Sequence, residues 1–212
     1  MLETGFMNDN VVVERKGFYR FIMETFGRSV HAGNEPENGR NAVVELARKA
    51  VDIDALTDWN TGTTINIGTI EGGTVANAVP AYARMEVDVR YLDPADFEKK
   101  KEQFEVIAGK VYIKDVTTKM TPVSLMQPMV ELESSKELFE LVKKVYEEEG
   151  FGSPKAITVG GGSDSAYTTM VGVPTVCAMG VKGGRNHTVD EFANVESLFM
   201  RAKLMCAVML AL

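Results

Sequence analysis

AYARMEVDVRY, residues Ala81–Tyr91, is the stretch that decides the fold class. Small or apolar residues occupy every second position, and charged residues fill the positions between: Ala83, Met85, Val87 and Val89 against Arg84, Glu86, Asp88 and Arg90. A period of two puts the apolar side chains on one face of a β-strand and the charged ones on the other. The stretch therefore predicts a strand in a sheet with one covered face and one solvated face.

Five further elements are predicted around this strand from apolar spacing, a helix-capping signal and turn residues. In chain order the six elements are strand Gly17–Gly27, helix Asn41–Val51, strand Thr63–Ile70, strand Ala81–Tyr91, a helix starting at Asp93-Pro94, and strand Val111–Thr117. The order β-α-β-β-α-β, ending near Lys119, is the ferredoxin-like arrangement. It is an antiparallel sheet with both helices on one face.

The last ninety residues have a different pattern, in which short apolar runs alternate with helical stripes. The predicted elements are a helix with a capping box at Ser134–Glu137, strand Ala156–Val159, helix Ser163–Val171, strand Pro174–Ala178, and a helix capped by Asn194. This alternation predicts an α/β region with a parallel sheet. It contains too few strands for a complete α/β domain.

Composition limits the classes of function. The chain has 212 residues, of which 45% are hydrophobic, and a net charge of −7, which argues against nucleic acid or an anionic membrane as the main partner. Cys177 and Cys206 lie in apolar runs without a CxxC spacing, so a thiolate metal site is not expected. The low number of cysteines predicts a location in the reducing cytoplasm. The first residues lack a signal-peptide pattern, and the apolar tail Leu204–Leu212 is too short for a membrane span.

Chemistry-bearing residues concentrate in two glycine-rich stretches near the C-terminus. Gly161-Gly162-Ser163-Asp164 forms the first, and His187 lies in the second, within Gly183-Gly184-Arg185-Asn186-His187-Thr188-Val189-Asp190-Glu191. A loop histidine beside carboxylates suits a metal ligand or an acid/base group. The same residues also fit a surface histidine near a helix start and a tight turn without a ligand.

Three motifs in order carry a resemblance to a known family. They are Gly27–Gly33 with Pro36–Ala42, then Gly72–Pro80 leading to Asp88–Tyr91, and then the C-terminal pair of glycine-rich stretches. Together they resemble the dizinc metallopeptidases that include glutamate carboxypeptidase, acetylornithine deacetylase, succinyl-diaminopimelate desuccinylase and aminoacylase. The resemblance implies a ferredoxin-like βαββαβ lid, from about Arg15 to Met120, inserted in an incomplete α/β zinc-peptidase domain. Residues 1–14 and 121–212 would be pieces of that domain, and the lid would form a homodimer.

The resemblance also implies roles for individual residues. Two zinc ions are expected in a complete site, with Glu3 as a ligand of one and His187 as the last ligand of the other. His31 would stabilise the oxyanion in the partner's active site, and the substrate would meet Asn77, Arg90, Gly161, Gly162 and Ser163. Without the resemblance, Glu3 is a terminal carboxylate, His31 a loop histidine, and Arg90 part of a strand-end salt bridge.

Several of the family's groups have no counterpart in this sequence. There is no histidine before His31 and no Glu-Glu pair before Glu147-Glu148, so the bridging carboxylate and the general base are not found. The expected function is therefore a fragment of a zinc exopeptidase or amidase that acts on a small peptide or N-acyl amino acid and is inactive by itself. The alternative is a non-catalytic homodimerisation or small-ligand-binding module. A serine hydrolase using Ser163 is disfavoured, because the nucleophile-elbow glycine two residues later is missing.

Overall fold

The computed structural model describes all residues, Met1–Leu212, and divides into two compact units. The central unit comprises Phe18–Met126, and the terminal unit comprises Met1–Gly17 together with Gln127–Leu212. The central unit overlaps the lid predicted from about Arg15 to Met120, and its role as a lid stays a prediction. None of the helices has the length and apolar character needed to cross a bilayer.

The central unit has the predicted element order. It consists of β2 (Gly17–Phe26), α1 (Ala42–Asp54), β3 (Thr64–Gly72), β4 (Tyr82–Tyr91), α2 (Pro94–Gly109) and β5 (Thr117–Met126), following β1 (Val11–Arg15) of the terminal unit. The strands lie in the order β3-β4-β2-β5, with β3/β4 and β2/β5 antiparallel. The ferredoxin-like prediction is confirmed.

Alternation along the strands explains why the core lies on one side of this sheet. Phe21 and Met85 point to the same face and are fully buried against Leu46 of α1 and Phe104 of α2. The helices begin where the sequence predicts, because Asn41 accepts a hydrogen bond from the Val44 amide and Asp93 caps α2.

The prediction of a last strand at Val111–Thr117 is wrong. The chain from 111 to 116 is a loop, and β5 starts at Thr117. The amides of Tyr112 and Ile113 donate to the Glu45 carboxylate, at 2.9 and 2.6 Å, instead of joining a strand ladder. A long-range polar contact thus overrides the local β-branched pattern.

Tyr91 at the end of β4 gives the central unit a pH dependence. Its side chain is fully buried, its hydroxyl donates to the Met126 carbonyl, and burial raises the pKa of the phenol to about 12. An unfolded tyrosine loses its proton near pH 10, so the folded state binds more protons between pH 10 and 12, and stability falls as the pH rises. Between these pH values the wild type should lose about 2 kcal/mol more than Tyr91→Phe. Urea unfolding of both proteins at pH 9 and 11.5 measures this difference, and parallel pH profiles would contradict it.

The terminal unit is an α/β arrangement. Strand β1 pairs in parallel with β6 (Ala156–Val159), and the other elements are α3 (Glu133–Glu148), α4 (Ser165–Met170), β7 (Gly183–Gly184), β8 (Phe192–Ala193) and α5 (Val195–Ala211). Helices α3 and α5 pack together, and the buried residues Val142, Tyr146 and Leu204 share a core with Val11 and Val13 of β1.

Two local predictions in the terminal unit are wrong. The capping box at Ser134 does not form, since α3 starts at Glu133 without a side-chain cap, and the Ser135 hydroxyl instead accepts from the Thr175 amide. Pro174–Ala178 is not a regular strand, because only Cys177 forms a β-bridge, with Val12. The cap at Asn194 is confirmed by a 2.8 Å hydrogen bond from the Ser197 amide.

Candidate functional site

A cavity of about 470 Å³ in the terminal unit brings together most of the predicted site residues of that unit. Glu3 and His187 both line it, although they are far apart in sequence. Gly161 and Gly162 form another part of the wall, and Arg15 at the end of β1 adds a cation. The cavity thus combines a carboxylate, an imidazole, a guanidinium and exposed backbone.

Glu3 is held in place by its side chain and by its backbone. The Ser163 hydroxyl donates to Glu3 Oε1 at 2.8 Å, and the Gly180 amide donates to the Glu3 carbonyl at 2.9 Å. Two residues after Glu3, the Gly5 amide donates to the Val181 carbonyl at 2.8 Å. The alternative of a frayed terminal carboxylate does not fit these contacts.

His187 lies in the loop between β7 and β8. Its backbone has a φ of 65°, in the left-handed region, and its amide donates to the Glu191 carboxylate at 3.2 Å. A non-glycine residue in this region is uncommon and is often found at functional sites. The β7/β8 pairing, with Gly184 opposite Phe192, fixes the base of this loop.

The donor atoms of Glu3 and His187 fit zinc, which binds carboxylate oxygen and imidazole nitrogen. A catalytic zinc ion usually has three protein ligands. The 212 residues nowhere place three or more His, Cys, Asp or Glu side chains around a common metal position. The residues present therefore fit part of a zinc site.

The structure separates the three predicted pocket residues of the glycine turn. Gly161 and Gly162 line the cavity, whereas Ser163 is only 6% exposed. The Ser163 hydroxyl also accepts hydrogen bonds from the amide and hydroxyl of Ser165, at 3.2 and 3.1 Å. Ser163 thus orients the Glu3 carboxylate, whereas Gly161 and Gly162, which precede Ser163, line the cavity.

Arg15 is a residue of this cavity that the sequence analysis missed. Its Nη1 donates to the Gly161 carbonyl at 3.1 Å, which ties the glycine turn to the end of β1. The position of Arg15 at the end of a strand could have indicated a site residue, because ligands of α/β sheets bind at the carboxyl ends of the strands.

In the central unit, two loops bring His31 and Asn77 together. His31 forms a β-bridge with Ala78, and the Ala32 amide donates to the Asn77 carbonyl at 2.9 Å. The exposed His31 ring accepts a hydrogen bond at Nδ1 from the Gly33 amide, at 3.1 Å. A neutral imidazole that accepts at Nδ1 carries its proton on Nε2, so His31 presents a donor.

Arg90 does not join His31 and Asn77 within one copy of the chain. It lies near the far end of β4, about 26 Å along the strand from Tyr82 at a rise of 3.3 Å per residue. Its Nε donates to Asp88 at 2.6 Å, and its guanidinium stacks on the Phe18 ring. The strand-end salt bridge considered as the alternative is present, and a substrate contact by Arg90 stays a prediction.

A family model described as the peptidase dimerisation domain of the M20 family matches residues 13–116. The protein YqjE of Bacillus subtilis is 30% identical over 209 residues, which is 94% of this chain and 53% of that protein. The chain contains a peptidase dimerisation domain of the M20 family. The motifs that carried the resemblance thus identified the family, and the matched residues include β2–α2, with both the His31 and Asn77 loops.

Other M20-type relatives extend the likeness over nearly the whole chain. Carboxypeptidase G2 of a Pseudomonas species is 28% identical over 84% of this chain and 44% of its own length. The crystal structure of aminopeptidase PepT from Bacillus cereus superposes with a TM-score of 0.82 at 27% identity, covering 99% of this chain and 56% of that one. The chain spans about half the length of the curated relatives it matches.

Proposed function

We propose that this chain supplies the dimerisation lid and part of the catalytic centre of a zinc-dependent exopeptidase or amidase. Its substrate would be a small peptide or an N-acyl amino acid. The observation that carries the proposal is that Glu3 and His187 line one cavity together with the Gly161-Gly162 turn. The relatives that are peptidases by name support the reaction class.

The residues of this chain have distinct tasks in the proposed reaction. Glu3 and His187 would hold zinc, which when bound would supply Lewis-acid polarisation of an amide carbonyl and a more acidic water. Ser163 fixes the rotamer of the Glu3 carboxylate through the 2.8 Å hydrogen bond. Arg15 holds the glycine turn, whose exposed backbone allows close approach of a substrate. His31 offers an Nε2–H donor of the kind that stabilises a developing oxyanion.

Zinc binding tests the metal part of this proposal. The purified 212-residue chain should bind zinc weakly, and His187→Ala should weaken binding at least about tenfold, the scale of losing one ligand contact. His31→Ala is the matched control, because it removes the other histidine from the central unit and should leave zinc affinity unchanged. Competition against a zinc-chelating dye measures both affinities. Equal affinities of the two variants would refute the ligand role of His187.

The isolated chain is expected to have no hydrolytic activity, because a general base and further zinc ligands are needed and are not found among its residues. An assay with zinc and a mixture of dipeptides and N-acetyl amino acids tests this. Metal-dependent turnover that disappears in His187→Ala would overturn the expected inactivity and still support the site. Without turnover and without His187-dependent zinc binding, the homodimerisation or small-ligand-binding module becomes the better proposal.

We further propose that the homodimer forms through the β3 edge of the central unit. The two edge strands differ, since β5 contains Lys119 and Pro122, which block strand addition, whereas β3 contains neither Lys nor Pro. Ile70 of β3 is 53% exposed at this edge.

Matched substitutions on the two edges test the dimer proposal. Ile70→Lys should weaken dimerisation at least about tenfold, because a buried lysine would lose its hydration at the pairing edge. Val123→Lys on β5, where valine is 58% exposed, should leave the dimer intact. Sedimentation velocity over a concentration series measures both. A dimer disrupted only by Val123→Lys would assign the interface to the opposite edge.

A further inference from the structure

The single tryptophan of the chain, Trp59, lies in solvent on a well-held loop of the central unit and is 82% exposed. The loop leads from α1 to β3 and is closed by the Asp58 amide, which donates to the Thr63 carbonyl at 2.8 Å. The Thr63 hydroxyl in turn donates to Asp96 of α2 at 2.6 Å. A rigid aromatic side chain on a fixed loop is suited to be a binding anchor, because little conformational entropy is lost when it becomes buried.

An open cavity of about 490 Å³ lies at the other end of β3. Gly72, the last residue of β3, lines it together with Val43 of α1 and the loop residues Val75 and Ala78. Val75 is 60% exposed, and none of the residues that line this Gly72 cavity is charged. A cavity of this kind suits an uncharged, largely apolar side chain.

Trp59 and the Gly72 cavity lie at opposite ends of β3, so they do not meet within one copy of the chain. The strand between them, Thr64–Gly72, is about 27 Å long at a rise of about 3.4 Å per residue. When two β3 strands pair antiparallel about a twofold axis, the start of each strand lies beside the end of the other. The tryptophan of each copy then lies at the cavity of the other, as a self-complementary interface requires.

We propose that Trp59 anchors the homodimer by occupying the Gly72 cavity of a second copy of this chain. The inference rests on the proposed dimer through the β3 edge and names the contact that gives it affinity. A second copy is the occupant that fits, because the edge strand joining Trp59 to the cavity has neither lysine nor proline to prevent pairing. Tryptophan is enriched among the residues that carry most of the binding energy of interfaces.

The same contact links dimerisation to the loop that carries His31. Ala32 and Ala78 both line the Gly72 cavity. His31 forms its β-bridge with Ala78, and the Ala32 amide donates to the Asn77 carbonyl. The partner's Trp59 would cover these backbone contacts, so the Ala32 amide should exchange its hydrogen more slowly in the dimer than in the monomer. The second copy thus helps to place the imidazole of His31.

Tryptophan fluorescence tests the contact directly, because Trp59 is the one tryptophan of the 212-residue chain. Dilution through dimer dissociation should move the emission to longer wavelengths, since the indole leaves the cavity for water. Ile70→Lys should show the long-wavelength emission at all concentrations. Constant emission while sedimentation velocity shows dissociation would overturn the anchor role and leave the β3 dimer standing. A chain that is always monomeric, or an intact Ile70→Lys dimer, would refute the β3 dimer and the contact together.

Matched substitutions test both sides of the contact. Trp59→Ala should weaken dimerisation at least about thirtyfold, the scale of losing a hot-spot residue. Val75→Asp places a charge in the cavity and should weaken dimerisation at least about tenfold. Val111→Asp is the control, since Val111 is 62% exposed in another loop and does not line the cavity. Equal dimerisation constants for Val75→Asp and Val111→Asp would refute the site.

Disulfide trapping tests the antiparallel arrangement while Trp59 stays in place. The background is Cys206→Ser, which removes the exposed native cysteine. Asn60→Cys combined with Ala76→Cys, both at exposed positions, should give a covalent dimer under mild oxidation, whereas Asn60→Cys alone should not. A covalent dimer from Asn60→Cys alone would indicate parallel β3 strands with the two Trp59 loops side by side, and it would overturn the proposal.

Discussion

Replacing Lys49 with methionine is expected to destabilise the central unit by about 3–5 kcal/mol, the cost of breaking a buried ion pair by removing one partner. The side chains of Lys49 and Glu45 are both completely buried, one turn apart on α1, with Nζ and Oε1 separated by 3.2 Å. Burial lowers the pKa of Lys49, and the hydrogen bond to Glu45 opposes that effect.

The large effect follows from what the pair holds together. Lys49 Nζ donates to the carbonyls of Ile107 and Ala108, at 2.8 and 3.0 Å, and also to that of Lys110. The Ile107 and Ala108 carbonyls lie in the last turn of α2, where carbonyls lack the usual helical partners four residues later, and Lys110 directly follows the helix. Methionine fills similar volume but leaves these carbonyls and the Glu45 carboxylate buried without their cation.

An exposed ion pair of similar spacing provides the control. Lys101→Met removes the partner of Glu98 on α2, a solvated pair at 3.5 Å, and should change stability by less than about 1 kcal/mol. Hydrogen exchange of the α1 amides under native conditions measures the stability of the central unit without assuming that both units unfold together. A loss for Lys49→Met no larger than for Lys101→Met would mean that water reaches the pair.

The Glu45–Lys49 pair also shows where sequence-based prediction stops. A Glu and a Lys four residues apart on a helix are usually exposed. The partners that make burial possible lie about sixty residues away, at Ile107 and Tyr112, and have no local signal. The hydrogen bonds from the Tyr112 and Ile113 amides to Glu45 also explain why the segment predicted as the strand Val111–Thr117 is a loop up to residue 116. The strands of the sheet were predictable because alternation is a local property of each strand.

In the candidate site, too, some residues could be predicted from the sequence, whereas contacts between residues far apart in the chain could not. The resemblance pointed to Glu3 and His187, and the structure places both at one cavity. The hydroxyl of Ser163 and the guanidinium of Arg15 act through contacts that span 160 and 146 residues, which no spacing in the sequence reveals. Arg90 had a suitable residue type, but its neighbour Asp88 engages its guanidinium.

Gly27→Ala is expected to destabilise the central unit by about 3 kcal/mol, at the upper end of the usual overpacking cost. A Cβ atom at Gly27 would lie 1.9 Å from the Arg40 carbonyl oxygen and 2.9 Å from its carbonyl carbon. Both atoms belong to the backbone, so a rotamer change cannot relieve the clash. Gly27 directly follows β2, at the point where the chain crosses the segment leading into α1.

The clash should also disturb the loop that carries His31. Arg28 and Arg40 exchange backbone hydrogen bonds of 3.0 and 2.9 Å, and this pair closes the loop in which His31 meets Asn77 and Ala78. Moving Arg40 away from a new methyl group would break the pair. The Ala32 amide, which donates to the Asn77 carbonyl, should then exchange its hydrogen much faster than in the wild type.

Gly109→Ala is the matched control for this substitution. Gly109 is the last residue of α2, a Cβ there meets nothing within 4 Å, and alanine should leave stability unchanged or raise it by up to about 1 kcal/mol. Thermal unfolding and amide exchange at Ala32, measured on both variants, separate a steric effect at Gly27 from the general effect of removing a glycine. Equal stability and equal Ala32 protection in the two variants would mean that the Arg28–Arg40 pairing can adjust. The position of His31 would then not depend on the close backbone approach at Gly27.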